Sequence, residues 1–336
     1  MMPDLKGHKV FCFLNPLSCE GYSLKKWPVI EGIFKELSIR HELISCKGDL
    51  KTEVERVLRE IKPDDPVTFA GLGGDGTHCA IINAMLKFKD SNPSRKLPFY
   101  SIIPFGTGNN IAKSFRLSRG DSFFCSELRR SIAGTVYGAE FKVDVGRVNG
   151  IYFLDAFTVG IDAHILTGRN RDRSLLARIP VLNSIFRGYP LYVFNTIKSF
   201  RICKPLECKV ELGGNIFYEG GLFNAIANNT RIYAGEFDPT DNAIANDGLL
   251  DLALHSGRKD YIWSYLLSYR RIPRRIRRIL MKWMGEKLNS KFSSAKISFQ
   301  KKIPAQIDGE EIEASDNYIV EVFPQAISLK IPVEPA

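Results

Sequence analysis

The sequence has no apolar stretch reaching the ~18–20 residues a membrane-spanning helix requires, so any membrane contact is expected to be peripheral. Met1 to His8 lack the charged-then-apolar layout of a signal peptide, and none is expected. The seven cysteines are odd in number, contain no CxxC pair and fall mostly in apolar runs, which argues against a disulfide framework and for reduced thiols of a cytoplasmic protein. Internal repeats and low-complexity segments are missing, so solenoids and disordered tails are not indicated. Acidic residues are in short supply, 37 against 47 lysines and arginines. The resulting formal charge of +10 favours anionic partners without choosing among them.

What remains is an ordinary globular composition, 44% hydrophobic and 25% charged over 336 residues. That length suits about two domains. Residues 1–138 alternate strand and helix signals, with Val10–Leu14, His41–Ser45, Val67–Ala70 and Phe99–Ile103 reading as strands and Trp27–Leu37, Thr52–Ile61 and His78–Phe88 as helices. Strands separated by helices pair in parallel, so an α/β fold with a doubly wound, Rossmann-like sheet is predicted, its ligands at the carboxyl ends of the strands. Residues 139–325 turn β-rich and predict a second, mostly antiparallel β-sandwich domain. Its strands are read at Val143–Val148, Ile151–Val159, Lys209–Leu212, Gly221–Ala227, Leu249–Leu254, Ala295–Phe299 and Tyr318–Val322. A last strand, Ile327–Ile331, belongs to a tail, residues 326–336, that would return to the first domain.

Chemistry is concentrated in two glycine-rich turns. Gly71-Leu72-Gly73-Gly74-Asp75-Gly76-Thr77 joins a predicted strand to a predicted helix, where backbone amides and the helix start suit a phosphate. The GxGxxG spacing within it is weak evidence for a dinucleotide fold. Asp75 at its tip would repel bare phosphate and therefore favours a magnesium nucleotide over the pyrophosphate of NAD. Gly106-Thr107-Gly108-Asn109-Asn110 follows the next strand and would face the same crevice. Read alone, either loop could be a capped strand-to-helix turn.

Taken in order, Asn15-Pro16-Leu17-Ser18, Gly73–Thr77, Pro104–Asn110, Asp144 in VDVG, Asp247-Gly248-Leu249-Leu250-Asp251 and Asp308-Gly309-Glu310 resemble the motifs of the diacylglycerol kinase catalytic-domain family. The resemblance implies ATP between an α/β lobe and a β lobe and transfer of its terminal phosphoryl group to a lipid hydroxyl. It implies that Asn15, Pro16, Ser45, Gly73, Gly74, Asp75, Gly76, Thr77, Gly106, Thr107, Asn109, Asn110 and Asp144 line the nucleotide site. It further implies a structural magnesium on Asp247 and the backbone oxygens of Ile244 and Leu249. Two positions depart from the pattern: Ala80 stands where the family has glutamate, and Asn110 where it has aspartate. Both changes weaken metal affinity.

Phosphoryl transfer needs positioning, charge neutralisation and a base. Read by pattern alone, Asp-Gly is equally a hairpin-turn signal that would leave both acids solvated; on an extended segment Asp308 and Glu310 would point the same way. Glu310 is accordingly expected as the base, with Asp308, Asp75 and Asp144 holding magnesium and water, and with Asp75 and Asp308 as its competitors. His78 reads as a helix-start side chain at the cleft edge. Between Ser256 and Lys302 stand fourteen basic residues against two acids. Ile272, Ile276, Ile279, Leu280, Trp283 and Leu288 recur there at helical spacing opposite Arg274, Arg275, Arg277 and Arg278, the pattern of an interfacial helix on anionic lipid. A helix packed on its own β domain gives the same pattern. Nucleic acid is not an expected partner, because no aromatic stacking platform accompanies the charge. A homodimer is left open. The reading is thus an ATP- and magnesium-dependent lipid kinase, cytoplasmic and peripherally membrane-associated, with a soluble NAD kinase or a non-catalytic lipid- or nucleotide-binding regulator as the alternatives.

Overall fold

A computed structural model describes residues 7–16, 22–45, 49–104, 109–115, 117, 125–176, 189–234, 237–240, 243–268 and 288–333. The first half runs β1 (Lys9–Leu14), α1 (Tyr22–Glu36), β2 (Arg40–Ser45), α2 (Leu50–Glu60), β3 (Val67–Gly73), α3 (Asp75–Ser91), β4 (Phe99–Pro104), α4 (Asn110–Ser114) and α5 (Cys125–Tyr137). Its strands are parallel in the order β2-β1-β3-β4. Along β1 alternate side chains face opposite sides of the sheet. Phe11 and Phe13 join Val54, Val57 and Leu58 of α2 and Ile81 and Met85 of α3 in one core. Val10, Cys12 and Leu14 join Ile30 and Phe34 of α1 and Leu128 and Ile132 of α5 in another. Helices therefore cover both faces, which is why the strands read as continuous apolar runs.

The second half comprises β5 (Ala139–Val148), β6 (Ile151–Phe153), β7 (Ala156–Gly160), α6 (Ile161–Leu176), α7 (Tyr189–Ile202), β8 (Leu206–Leu212), β9 (Asn215–Leu222), β10 (Asn224–Asn228), β11 (Leu250–His255), α8 (Arg258–Ser268), β12 (Leu288–Phe292), β13 (Ser294–Ile307) and β14 (Glu310–Ile331). All its ladders are antiparallel except at the far end of β14, where Leu329 pairs in parallel with Tyr100 of β4. The α/β fold class with parallel and antiparallel parts stands. The run Ile151–Val159, read as one strand, is two, because Leu154 and Asp155 turn their N–H groups to Asp308 rather than to a neighbouring strand. The runs Tyr318–Val322 and Ile327–Ile331, read as two strands, are one strand with a register shift between Phe323 and Ile327.

The halves are joined laterally at α3. Asn83 donates through Nδ2 to the Tyr152 carbonyl at 2.6 Å and accepts the Tyr152 N–H at 2.9 Å, completing a backbone pair that the short strand β6 lacks. The Tyr152 hydroxyl donates to Asp90 at 2.7 Å. Among the described residues no helix is long and apolar enough to cross a membrane.

Candidate active site

In an open parallel sheet, ligands settle beyond the carboxyl ends of the strands where the order reverses. Here β1 has β2 on one side and β3 on the other, so the crevice lies beyond Leu14, Ser45 and Gly73. Register places Leu14 level with Ser45 and with Leu72, and Gly73 level with Pro104. Asn15, Pro16, the exposed Ser45 and the loop Gly73–Thr77 thus share one edge. Gly106 and Thr107 lie outside the described residues; Asn109 and Asn110 resume at the start of α4.

The glycines of the loop are set by close approach. A Cβ at Gly73 would overlap the Thr77 hydroxyl, and one at Gly76 would overlap Glu310 Oε1. Beneath the loop, Tyr100 and His78 crowd Gly71 in the same way. His78 is not at the cleft edge: it is fully buried, its Nδ1 is 2.7 Å from the Tyr100 hydroxyl, and burial pushes its pKa down to about 4. It is a neutral support for the loop. Asp75 opens α3, and its carboxylate accepts the N–H groups of Asn110 at 3.0 Å and Ile111 at 3.2 Å. It therefore caps α4 and holds the two glycine-rich turns together. Burial pushes its pKa up despite these bonds. The Asn110 Oδ1, turned the same way, is buried without a hydrogen-bond partner.

The opposite wall is the β13–β14 hairpin. Asp308 and Gly309 form a two-residue turn with φ of +47° and +81°, and Ile307 faces Glu310 across it. The expectation of an extended segment fails here, because Asp-Gly takes the doubly left-handed turn that matches strand twist. The turn aims Asp308 inward. Its Oδ2 accepts the Leu154 N–H at 2.8 Å, and its Oδ1 accepts those of Asp155 at 2.8 Å and Ala156 at 3.0 Å. Full burial, opposed by those bonds and reinforced by the Asp75 charge, raises its pKa to about 6. Glu310 lies against Gly76, its pKa raised by burial and drawn back by Arg169.

Sequence reading missed Asp155. It is buried, bonded to the Thr230 hydroxyl, and held well above the usual carboxylate range by burial and then by the charge of Asp308, with Asp75 adding to it. Its signal was a lone carboxylate inside the apolar run Ile151–Val159. Arg169 and Asp162, on a helix the pattern did not announce, were missed with it. Asp162 accepts hydrogen bonds from the hydroxyls of Tyr261 (2.5 Å), Tyr265 (2.9 Å) and Tyr233 (3.2 Å) and from Asn224 Nδ2 (2.8 Å). Beside the acids opens a cavity of about 170 Å³ lined by Asp155, Asp162, Arg169, Tyr192, Tyr233 and Asp308.

Two expected placements are corrected. Asp144 does not turn toward the glycine loop: its Oδ2 accepts the Gly248 N–H and its Oδ1 the Gln325 N–H, both at 2.7 Å, so it joins two turns inside the β-rich half. At Asp247 the residues do not fit the implied magnesium. Its Oδ2 is 2.5 Å from the Lys291 ammonium and its Oδ1 accepts the Leu249 N–H at 3.1 Å. Among the described residues no group of three His, Cys, Asp or Glu side chains is arranged to hold a metal. Asp75 and Asp308 are engaged by backbone N–H groups and Asp155 by the Thr230 hydroxyl, so Glu310, against Gly76, is the acid that a magnesium ion entering on nucleotide phosphates would meet. The basic helix expected around Ile272–Trp283 lies outside the described residues.

Comparison with known proteins follows the same outline. Residues 9–140 match the family described as "Diacylglycerol kinase catalytic domain". A Bacillus subtilis protein named "Diacylglycerol kinase" is 24% identical over 273 residues, covering 79% of this chain and 77% of that one. A Pectobacterium atrosepticum protein named "Probable lipid kinase YegS-like" is 24% identical over 291 residues, covering 85% and 83%. A crystal structure of a diacylglycerol kinase from Bacillus anthracis superposes with a TM-score of 0.66 at 18% identity, covering 96% of each chain, which extends the likeness in fold over both halves. The matched stretch, residues 9–140, holds the whole parallel sheet and its glycine loop, and it is this part of the chain that resembles the diacylglycerol kinase catalytic domain.

Proposed function

We propose that the protein is an ATP- and magnesium-dependent lipid kinase that phosphorylates the hydroxyl of diacylglycerol or a related long-chain alcohol. The observation that carries this reading is the meeting of Glu310 and Asp308, from the β13–β14 turn, with Gly76 and Asp75 at the phosphate-binding edge of the parallel sheet. Residues 1–138 are assigned to the nucleotide, residues 139–325 to the lipid, and residues 326–336 to a return into the first unit, which the pairing of Leu329 with Tyr100 supports. ATP phosphates are assigned to the amides of Gly73–Thr77 at the start of α3, where the helix dipole favours negative charge. Magnesium, when bound with ATP, would neutralise the transferring phosphoryl oxygens.

Glu310 is proposed as the base. It is the site acid on the open side of the turn, and its raised pKa improves its match to a hydroxyl proton near neutral pH. Asp308 and Asp75 hold the backbone around it, and Asp155 holds the Thr230 hydroxyl. The acceptor's polar end is assigned to the 170 Å³ cavity, where Arg169 and Tyr192 supply donors. A surface for the bilayer is supported by α7 and α8, which meet through Phe200 and Tyr261 with ring centroids 5.4 Å apart. They expose Val193, Phe194, Ile197, Ile262, Trp263 and Leu266, flanked by the exposed Arg201 and Arg258. Apolar side chains at acyl depth beside cations suit an anionic membrane.

The test offers labelled ATP with mixed lipid vesicles in one arm and NAD in another. The proposal expects label in the organic phase. Label in water with NAD points to a soluble NAD kinase, and no product in either arm to a non-catalytic regulator. Glu310→Ala turning over lipid at the parent rate removes the base assignment.

A further inference from the structure

The structure assigns Lys291 as the resident cation of the Asp247–Asp251 turn: we infer that this turn binds no divalent metal, its place being taken by the chain's own ammonium. β11 and β12 are antiparallel, and Asp251 stands directly opposite Lys291. Directly opposed residues bring their Cβ atoms within about 5 Å, and opposite charges there attract. From that position the lysine stem is long enough to cross the strand end and reach the preceding turn. Its Nζ lies 2.5 Å from Asp247 Oδ2 and 3.4 Å from Asp251 Oδ2.

Both carboxylate oxygens of Asp247 have partners within the chain. Its Oδ1 accepts the Leu249 N–H at 3.1 Å, so one oxygen faces the turn's own backbone and the other faces the ammonium. A divalent ion replaces first-shell water with oxygen ligands at ~2.1 Å for magnesium. On Asp247 it would stand beside Lys291 and meet a like charge at contact distance. The acids around the turn have other partners. Asp238 accepts from Arg231 at 2.7 Å, and Asp144 accepts from Gly248 and Gln325. Asp251 Oδ2 is buried with no hydrogen bond, and the charge it faces is Lys291. The lysine head is itself little more than one-third exposed, so solvent screens the pair only in part.

The inference does not rest on the kinase reading, because it is tested on the nucleotide-free full-length protein with magnesium chloride alone, read by thermal unfolding at constant ionic strength. Wild type is expected to move by less than ~1 °C at millimolar magnesium, since an ion that does not bind the native state does not raise Tm. Lys291→Met keeps the stem and removes the charge. It is expected to acquire a saturable magnesium-dependent rise of at least ~2 °C, lost again in Lys291→Met with Asp247→Asn. A saturable rise in wild type that Asp247→Asn abolishes overturns the inference. A Lys291→Met protein that folds and shows no magnesium response overturns it too, since the ammonium would then not be what excludes the ion. Should Lys291→Met fail to fold, the comparison of wild type with Asp247→Asn still decides.

Discussion

Replacing Asp308 by Asn sets stability against activity with a sign that changes with pH. In the unfolded chain the carboxyl titrates near its ordinary 3.8, and in the native state near 6. Below pH 3.8 both states hold the proton and the group contributes nothing. Between 3.8 and 6 the native state holds more protons than the unfolded state, so stability falls as pH rises, and above 6 the full penalty is present. A difference of about two units is roughly 3 kcal/mol. Asn at 308 removes that penalty. It tolerates the left-handed φ of the turn, but its amide nitrogen cannot accept a hydrogen bond, whereas both oxygens of the carboxyl can, even protonated as it is at pH 4. The Leu154 N–H is then left unpaired, at about 1–2 kcal/mol. Asp308→Asn is therefore expected to be less stable than wild type at pH 4 by about 1–2 kcal/mol, and more stable at pH 7.5 by a similar amount, while losing most kinase activity. Urea unfolding of both proteins at pH 4, 5, 6 and 7.5 measures the crossing. Parallel curves for the two proteins across that range would refute the placement of Asp308 as a buried carboxyl, whatever the activity does.

Further expectations follow from contacts already described. Gly76→Ala adds a Cβ that collides with Glu310 Oε1 in a helical turn where Ala is favoured over Gly by up to ~1 kcal/mol; turnover should drop at least ~100-fold with no fall in Tm, and an active Gly76→Ala protein would mean that Glu310 does not sit there during the reaction. Asn83→Ala removes the partner of the Tyr152 N–H and leaves its carbonyl only the weak Cys79 thiol donor, and should cost about 1–3 kcal/mol, measured by urea unfolding. Exchanging Trp263 and Ile262 for Ser should reduce sedimentation with anionic vesicles, while raised salt should reduce it for the parent protein as well; unchanged sedimentation would remove α8 from the membrane face. The activity of wild type is expected to fall below about pH 6 as Asp308 takes up its proton, and a pH profile flat to pH 5 would separate that carboxyl from turnover.

The parallel half was legible because each strand is buried on both faces and each helix carries a spaced apolar stripe. Val10–Leu14 and Val54–Val57–Leu58 announce themselves by pattern alone. The glycine loop was legible because its residues are demanded by contacts, as at Gly73 and Gly76. The acids were less so. Nothing in the spacing separates Asp308, buried on three N–H groups, from a solvated turn residue, and Asp144 carries the same motif value whether it faces the nucleotide or fastens Gly248 and Gln325. Lys291 is invisible to motif reading, since its role comes from a register fixed by strand pairing. The helices of the second half escaped because α7 is apolar around much of its circumference and so has no single stripe.

β14 carries Glu310 at its first residue and pairs with β4 of the parallel sheet through Leu329 near its last. The acid and the parallel sheet are therefore mounted on one ribbon, so any movement of one against the other has to flex that ribbon rather than swing on a slack tether. The ladder offers a joint at its register shift, where Gln325 sits at φ +50° and its amide is gripped by Asp144. Asp144 thereby braces the joint, and removing its carboxylate would release the backbone N–H groups of Gln325 and Gly248 together and let the ladder bend there.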